Sequence, residues 1–246
     1  MLTLFYRAAA VFAAVALLPA AGSALAQGSL EQLIERNIEA RGGYQAWKSV
    51  QSLRLGGVMT LADGSRSPVQ MEFKRPGRMR MEFQVQGLTG IQALDGQAGW
   101  YVDPGNPDGS VQTMSEQQLR LARGTADFEG PLIDWQEKGH QLSLEGSSEW
   151  SGESVYRIRL IKRGGEELLL LLDTESFLEI GQVTVSNGGQ STQAFTAIGD
   201  HSRVGPLVIP FSLKTRLDQE RSQTLVFDSV EIDVDIPDSR FEVPDQ

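Results

Sequence analysis

Histidine is the side chain best suited to moving a proton or holding a metal near neutral pH, and this 246-residue chain has two, His140 and His201. His140 follows Gly139, and His201 lies in a turn-like Gly-Asp-His-Ser-Arg stretch. Neither has a second histidine or a carboxylate at metal-ligand spacing, and no His-Glu-x-x-His motif occurs. A serine hydrolase would need a Gly-x-Ser-x-Gly elbow between strand and helix; there is none, and Gly109-Ser110 sits in a polar loop. Glu231, Asp233 and Asp235 offer paired carboxylates for glycosidase chemistry, but they alternate with Val230, Ile232, Val234 and Ile236, the pattern of a strand's wet face. With no cysteine, thiolate chemistry and disulfides are excluded. We therefore assign no catalytic residue, no metal ligand and no cofactor, and expect binding rather than catalysis.

The side chains left to carry a function are large and apolar: four Trp, ten Phe and six Met. Val69, Met71 and Phe73 alternate with Gln70, Glu72 and Lys74; Pro76-Gly77 turns the chain; Met79, Met81, Phe83 and Val85 then alternate with Arg78, Arg80, Glu82 and Gln84. A period of two gives each strand one apolar and one wet face. Packing is the ordinary role of such residues, and lining a cavity is the alternative. The cavity candidates are Phe73, Met79, Met81 and Phe83, with Trp100 and Trp135. Flexible thioethers suit irregular ligands.

These residues must be positioned by a mainly β chain with helices, an α+β class. Ser29 with Gln32 reads as a capping box opening a helix whose Leu30, Leu33, Ile34 and Ile38 form one stripe, stopped by Gly42-Gly43. A further helical turn over 44–50 carries Trp47 inward. Strands begin near Gln51, with Asp63-Gly64 as a hairpin signal. Residues 103–110 form a loop, Ser115 caps a helix through Arg123, and 128–138 reads as a second helical piece with Pro131 in its first turn. This insertion, about 115–139, is a candidate lid. Strand signals resume at 141–145, 155–161, 167–173 and 178–186, pass the Asn187-Gly188-Gly189 turn, and continue to 236. The expected sum is ten to twelve short antiparallel strands in one domain, 27–246.

Residues 1–26 have the three-part pattern of an export signal: one charge at Arg7, an apolar run over 8–18, and Ala24-Leu25-Ala26 before cleavage near Ala26-Gln27. The run is too short for a membrane span, so a soluble periplasmic product is expected. Its removal takes Arg7 and no acidic residue, moving the formal charge from −10 to −11. So acidic a chain repels phosphate backbones, and nucleic acid is not an expected partner.

At Phe73-Lys74-Arg75-Pro76, and at Leu94-Asp95-Gly96 leading to Trp100-Tyr101 and Asp103-Pro104, the chain resembles the periplasmic lipoprotein-carrier superfamily of LolA, LolB and RseB type. It also resembles the exported proteins labelled as outer-membrane lipoprotein-sorting, which share a helix ending in Gly-Gly, then a Trp, then a strand, as over 41–55. The resemblance implies an unclosed antiparallel half-barrel with helices plugging its concave side. It implies a monomeric carrier or chaperone holding lipoprotein acyl chains, or another amphiphile, with an envelope membrane protein as a further partner. An RseB-like sensor of a protein or lipid signal is the alternative. It also implies that Arg75, in the Lys-Arg-Pro turn, latches the helical lid. The chain departs from LolA in being longer and acidic, and from LolB in lacking an anchoring cysteine, so the fold transfers further than the cargo.

Overall fold

The computed structural model describes residues 21–106, 108–185, 194–216 and 221–244, with the side chains of 21–28 excepted. Most of the expected signal segment and the Asn187-Gly188-Gly189 turn lie outside the described residues. Helix α1 (Ala21–Ala40) leads through a Gly-Gly junction to α2 (Tyr44–Ser49). Six strands follow: β1 (Ser52–Leu61), β2 (Arg66–Lys74), β3 (Arg78–Val85), β4 (Leu88–Leu94), β5 (Gly99–Val102) and β6 (Val111–Thr113). After helix α3 (Glu116–Ala126) come β7 (Gln141–Trp150), β8 (Glu153–Ile161), β9 (Glu167–Asp173), β10 (Glu179–Val185), β11 (Ala194–Val204), β12 (Leu207–Arg216) and β13 (Ser222–Ile232).

Among the described residues, thirteen strands form one antiparallel sheet in the order β6-β5-β4-β3-β2-β1-β13-β12-β11-β10-β9-β8-β7. Two meanders are thus joined where the first strand pairs with the last, Leu53 opposite Ile232 and Leu61 opposite Gln223. The strands next to the mid-chain insertion, β6 and β7, are the two opposite edges of an unclosed sheet. The chain between them has to travel from one edge to the other, and in doing so it lies across the inner face. That topology, more than local propensity, places the insertion over the core.

Period-two patterning shows directly in the register. Leu53, Phe73, Met79, Leu94 and Gly99 lie side by side across β1–β5 and face inward. The adjacent row, Arg54, Glu72, Arg80, Ala93 and Trp100, faces outward. The inner face carries two apolar clusters. One gathers Trp47, Leu53, Phe73, Met79, Leu94, Leu119, Ile133 and Phe227 beneath α2 and α3; the other packs Leu30 and Ile34 of α1 and Leu132 on Ile158, Leu160, Leu168, Leu170 and Leu172. Leu132 and Ile133, neighbours in the insertion, bind one cluster each.

The outer row is not wet at Glu72 and Arg80, which the alternation places in solvent: both are buried. The C-terminal segment covers them. Running over 233–244, it accepts hydrogen bonds from β1, β2, β3 and β5: Ser52 Oγ to Val234 O at 2.6 Å, Lys74 Nζ to Ile236 O at 2.7 Å, Arg80 to Arg240 O at 2.9 Å, and Trp100 Nε1 to Phe241 O at 2.8 Å. Arg240 adds ion pairs to Glu72 and Glu82, and Ile236 and Phe241 are fully buried.

Three local expectations change. Strand β6, in the stretch between the 103–110 loop and Ser115 where no element was expected, brings the strand number above twelve, because three residues are too few to show a period. Ser29 is inside α1 and not at its start, since nothing between Ala21 and Gly28 stops a helix. Residues 128–138 form a chain of turns: Gly130 and Asp134 take φ of 83° and 52°, which a helix cannot accommodate. The α1 stop, by contrast, is as read. Gly42 has φ 115°, and a Cβ there would collide with the Pro206 carbonyl oxygen of the β11–β12 turn, so this close approach admits only glycine.

Candidate functional site

Helix α3 begins at Ser115 with a reciprocal capping box: Ser115 Oγ accepts from Gln118 N and Gln118 Oε1 accepts from Ser115 N at 2.9 Å. Its inner side is anchored by Leu119 and Ala122, and Met114 and Leu119 fill the space that Gly99 leaves by having no side chain. Between α3 and strands β3–β5 lies an open cleft of about 380 Å3. Met79, Met81, Phe83, Tyr101, Met114 and Leu121 supply its apolar wall. Leu121 is 58% exposed at the mouth.

Beyond α3 the insertion is fastened through Glu129 and Asp134. Glu129 is almost fully buried; its Oε2 accepts from Arg75 at 2.6 Å, and its Oε1 lies 3.2 Å from both Lys48 and Lys138. Arg75 also donates to the carbonyls of Val50 (2.9 Å) and Trp47 (3.0 Å) and lies 4.7 Å from the Phe128 ring centre. Arg41 donates to the Glu129 carbonyl at 2.8 Å. Four basic residues, from the α1–α2 junction, α2, the β2–β3 turn and the insertion itself, thus converge on one acidic residue and its backbone. Burial raises the Glu129 carboxyl, but the hydrogen bond from Arg75 and the charge of Lys138 outweigh it and hold the group below the ordinary carboxylate range. Asp127, desolvated and only partly offset by Lys138, is raised. At Asp134 burial is outweighed by Lys48, 2.7 Å away, and its carboxyl is lowered.

The structure sorts the sequence candidates. Met79, Met81 and Phe83 share one cleft wall. Phe73 lies in the closed cluster beside them, its ring centre 6.1 Å from that of Phe128. Trp100 is corrected: it stands in the outward row and is sealed under Phe241, because its inward-facing neighbour is Gly99. Trp135 lines a separate groove formed with α1 and α2. Arg75 stands against the insertion, bonded to it through Glu129. His140 accepts weakly from Arg163 N in a turn, and burial lowers both His140 and His201. Among the described residues no group of three His, Cys, Asp or Glu could hold a metal ion. Glu129, Lys48 and Lys138 were not singled out in the sequence; the one signal was an acidic residue set between Phe128 and a Gly-Pro turn.

An unclosed antiparallel sheet with helices on its inner face is the LolA-type fold, so the expected resemblance to the lipoprotein-carrier superfamily holds at the level of fold. A DUF1329 family protein from Desulfovibrio piger is similar over 86% of this chain and 96% of its own, at 12% identity and a TM-score of 0.63. A LolA superfamily protein from Nitrosomonas europaea is similar over 87% and 97%, at 15% identity and 0.59. An outer membrane lipoprotein-sorting protein domain from Vibrio parahaemolyticus is similar over 85% and 94%, at 11% identity and 0.60. No protein-family model matches the chain, and no curated protein matches it in sequence.

Proposed function

We propose that this protein is an exported, non-enzymatic carrier or chaperone that holds the acyl chains of a lipoprotein, or of another amphiphile, in the cleft beneath α3. The observation that carries the reading is the apolar wall of Met79, Met81, Phe83, Met114 and Leu121 in a cleft open to solvent. Its volume of about 380 Å3 falls in the range of small-molecule sites. Each methylene moved into it from water contributes about 0.8 kcal/mol. In this reading Arg75 is the latch: its bond to Glu129 keeps the insertion against the sheet, and releasing it lets α3 lift. Cleavage near Ala26-Gln27 leaves the α1 stripe of Leu30, Leu33, Ile34 and Ile38 intact, so the periplasmic form keeps its packing.

Mass spectrometry of an organic extract of gently purified protein should find acyl lipid, and a fluorescent acyl probe should be taken up in competition with it. Leu121→Gln, at a largely exposed position that tolerates the change, should weaken probe uptake several-fold. No extracted lipid together with no probe uptake removes the proposal.

A further inference from the structure

A second hollow, of about 590 Å3, lies between α1, α2 and residues 132–137, apart from the cleft under α3. Ile34, Ile38, Ala46, Leu132 and Trp135 supply its apolar surface. Glu31, Glu35 and Glu39 line one side and Glu137 the other. The three α1 carboxylates recur every four residues, so they form a row with steps of about 6 Å. All four are exposed, and none is in an ion pair among the described residues. Asp134, on the same rim, is by contrast bound to Lys48 at 2.7 Å. Arg36, the basic residue within the α1 row, is drawn away over the Phe177 ring, 4.9 Å from its centre.

An apolar groove edged by uncommitted carboxylates repels fatty-acid carboxylates, phosphates and anionic membrane surfaces. What it complements is a ligand with an apolar face and cations about 6 Å apart. An amphipathic helix with Lys or Arg at every fourth position has that spacing along its own axis. We propose that this groove docks a basic amphipathic helical segment of a partner protein. The site does not depend on the acyl reading, because it shares no lining residue with the cleft under α3.

The test is fluorescence anisotropy of a labelled synthetic leucine-lysine helix, its lysines four residues apart, titrated with the purified protein. Binding should weaken between about 50 and about 300 mM salt as charges are screened. The triple variant Glu31→Gln/Glu35→Gln/Glu39→Gln should lose about tenfold in affinity or more, with circular dichroism and acyl-probe uptake unchanged. Removing as many exposed carboxylates elsewhere, Glu149→Gln/Glu153→Gln/Glu175→Gln, should change affinity less than about twofold. Equal losses in the two triple variants would reduce the effect to overall charge and overturn the proposal. So would unchanged binding in the groove variant, or equal binding of a peptide with its leucines replaced by serine. Failure of the acyl experiments, with these results obtained, would leave the docking site standing.

Discussion

Replacing Glu129 with glutamine keeps the shape of the proposed latch and removes its charge. Breaking a buried ion pair from one side costs about 3–5 kcal/mol. Two features lower that here. Lys48 retains Asp134 at 2.7 Å and Lys138 retains Asp127 at 2.8 Å, so only Arg75 loses its carboxylate. Arg75 is also 25% exposed and keeps the carbonyls of Val50 and Trp47, so water and backbone compensate in part. The expected loss is about 2 kcal/mol, confined to the insertion. At 1.36 kcal/mol per factor of ten, that is about a 30-fold rise in local opening. Hydrogen exchange followed by mass spectrometry should show it in peptides covering 115–139 and not in those covering 155–173. Were the same loss global, the melting temperature of a chain this size would fall by about 4–8 °C. Unaltered exchange over 115–139, or a rise spread evenly through the sheet, would refute the latch.

Burial pushes the Glu179 carboxyl from 4.5 to about 7, with Arg41 and Lys162 offsetting only part of it, and its Oε1 has no hydrogen-bond partner. The folded state then holds the proton across that window while the unfolded state releases it, so stability falls as pH rises from about 4.5 to 7. Glu179→Gln should therefore melt higher relative to wild type at about pH 8 than at about pH 5; a pH-independent difference would exclude Glu179 as the source. Gly42→Ala forces a side chain onto φ 115° and into the Pro206 carbonyl, and should cost about 2–4 kcal/mol in denaturant unfolding. A cost under about 0.5 kcal/mol would mean the junction has slack. Trp100→Phe removes the 2.8 Å bond to Phe241 O and should cost about 1–2 kcal/mol, with amides of 236–241 exchanging faster; an unchanged exchange rate there would show that Ile236 and Phe241 hold the segment unaided.

The strands of β1–β4 and the start of α3 were legible because their signals are local: Met79, Met81 and Phe83 repeat with a clear period, and Ser115 and Gln118 form their box within four residues. The face of Trp100 was not legible. Four residues of β5 fix no phase, and the side it occupies is set by pairing with β4 and by Phe241, far away in sequence. The 128–138 segment carried a helix-compatible composition, and Gly130 and Asp134 overrode it with left-handed backbone. Glu129 looked like any surface glutamate. Its importance comes from Arg41, Lys48, Arg75 and Lys138 meeting around it, and only the β6-to-β7 crossing brings them together.

The C-terminal segment gives the cleft a mechanical asymmetry. Its bonds to Ser52, Lys74, Arg80 and Trp100 form a tie of fixed length stretched perpendicular to β1, β2, β3 and β5, on the back of the strands that floor the cleft. Spreading those strands would snap the tie one bond at a time, whereas lifting α3 disturbs none of it. The cleft therefore has a braced floor and a roof that the tie leaves free. On the carrier reading proposed above, a cargo of larger girth would be admitted by raising α3, with the floor keeping its width.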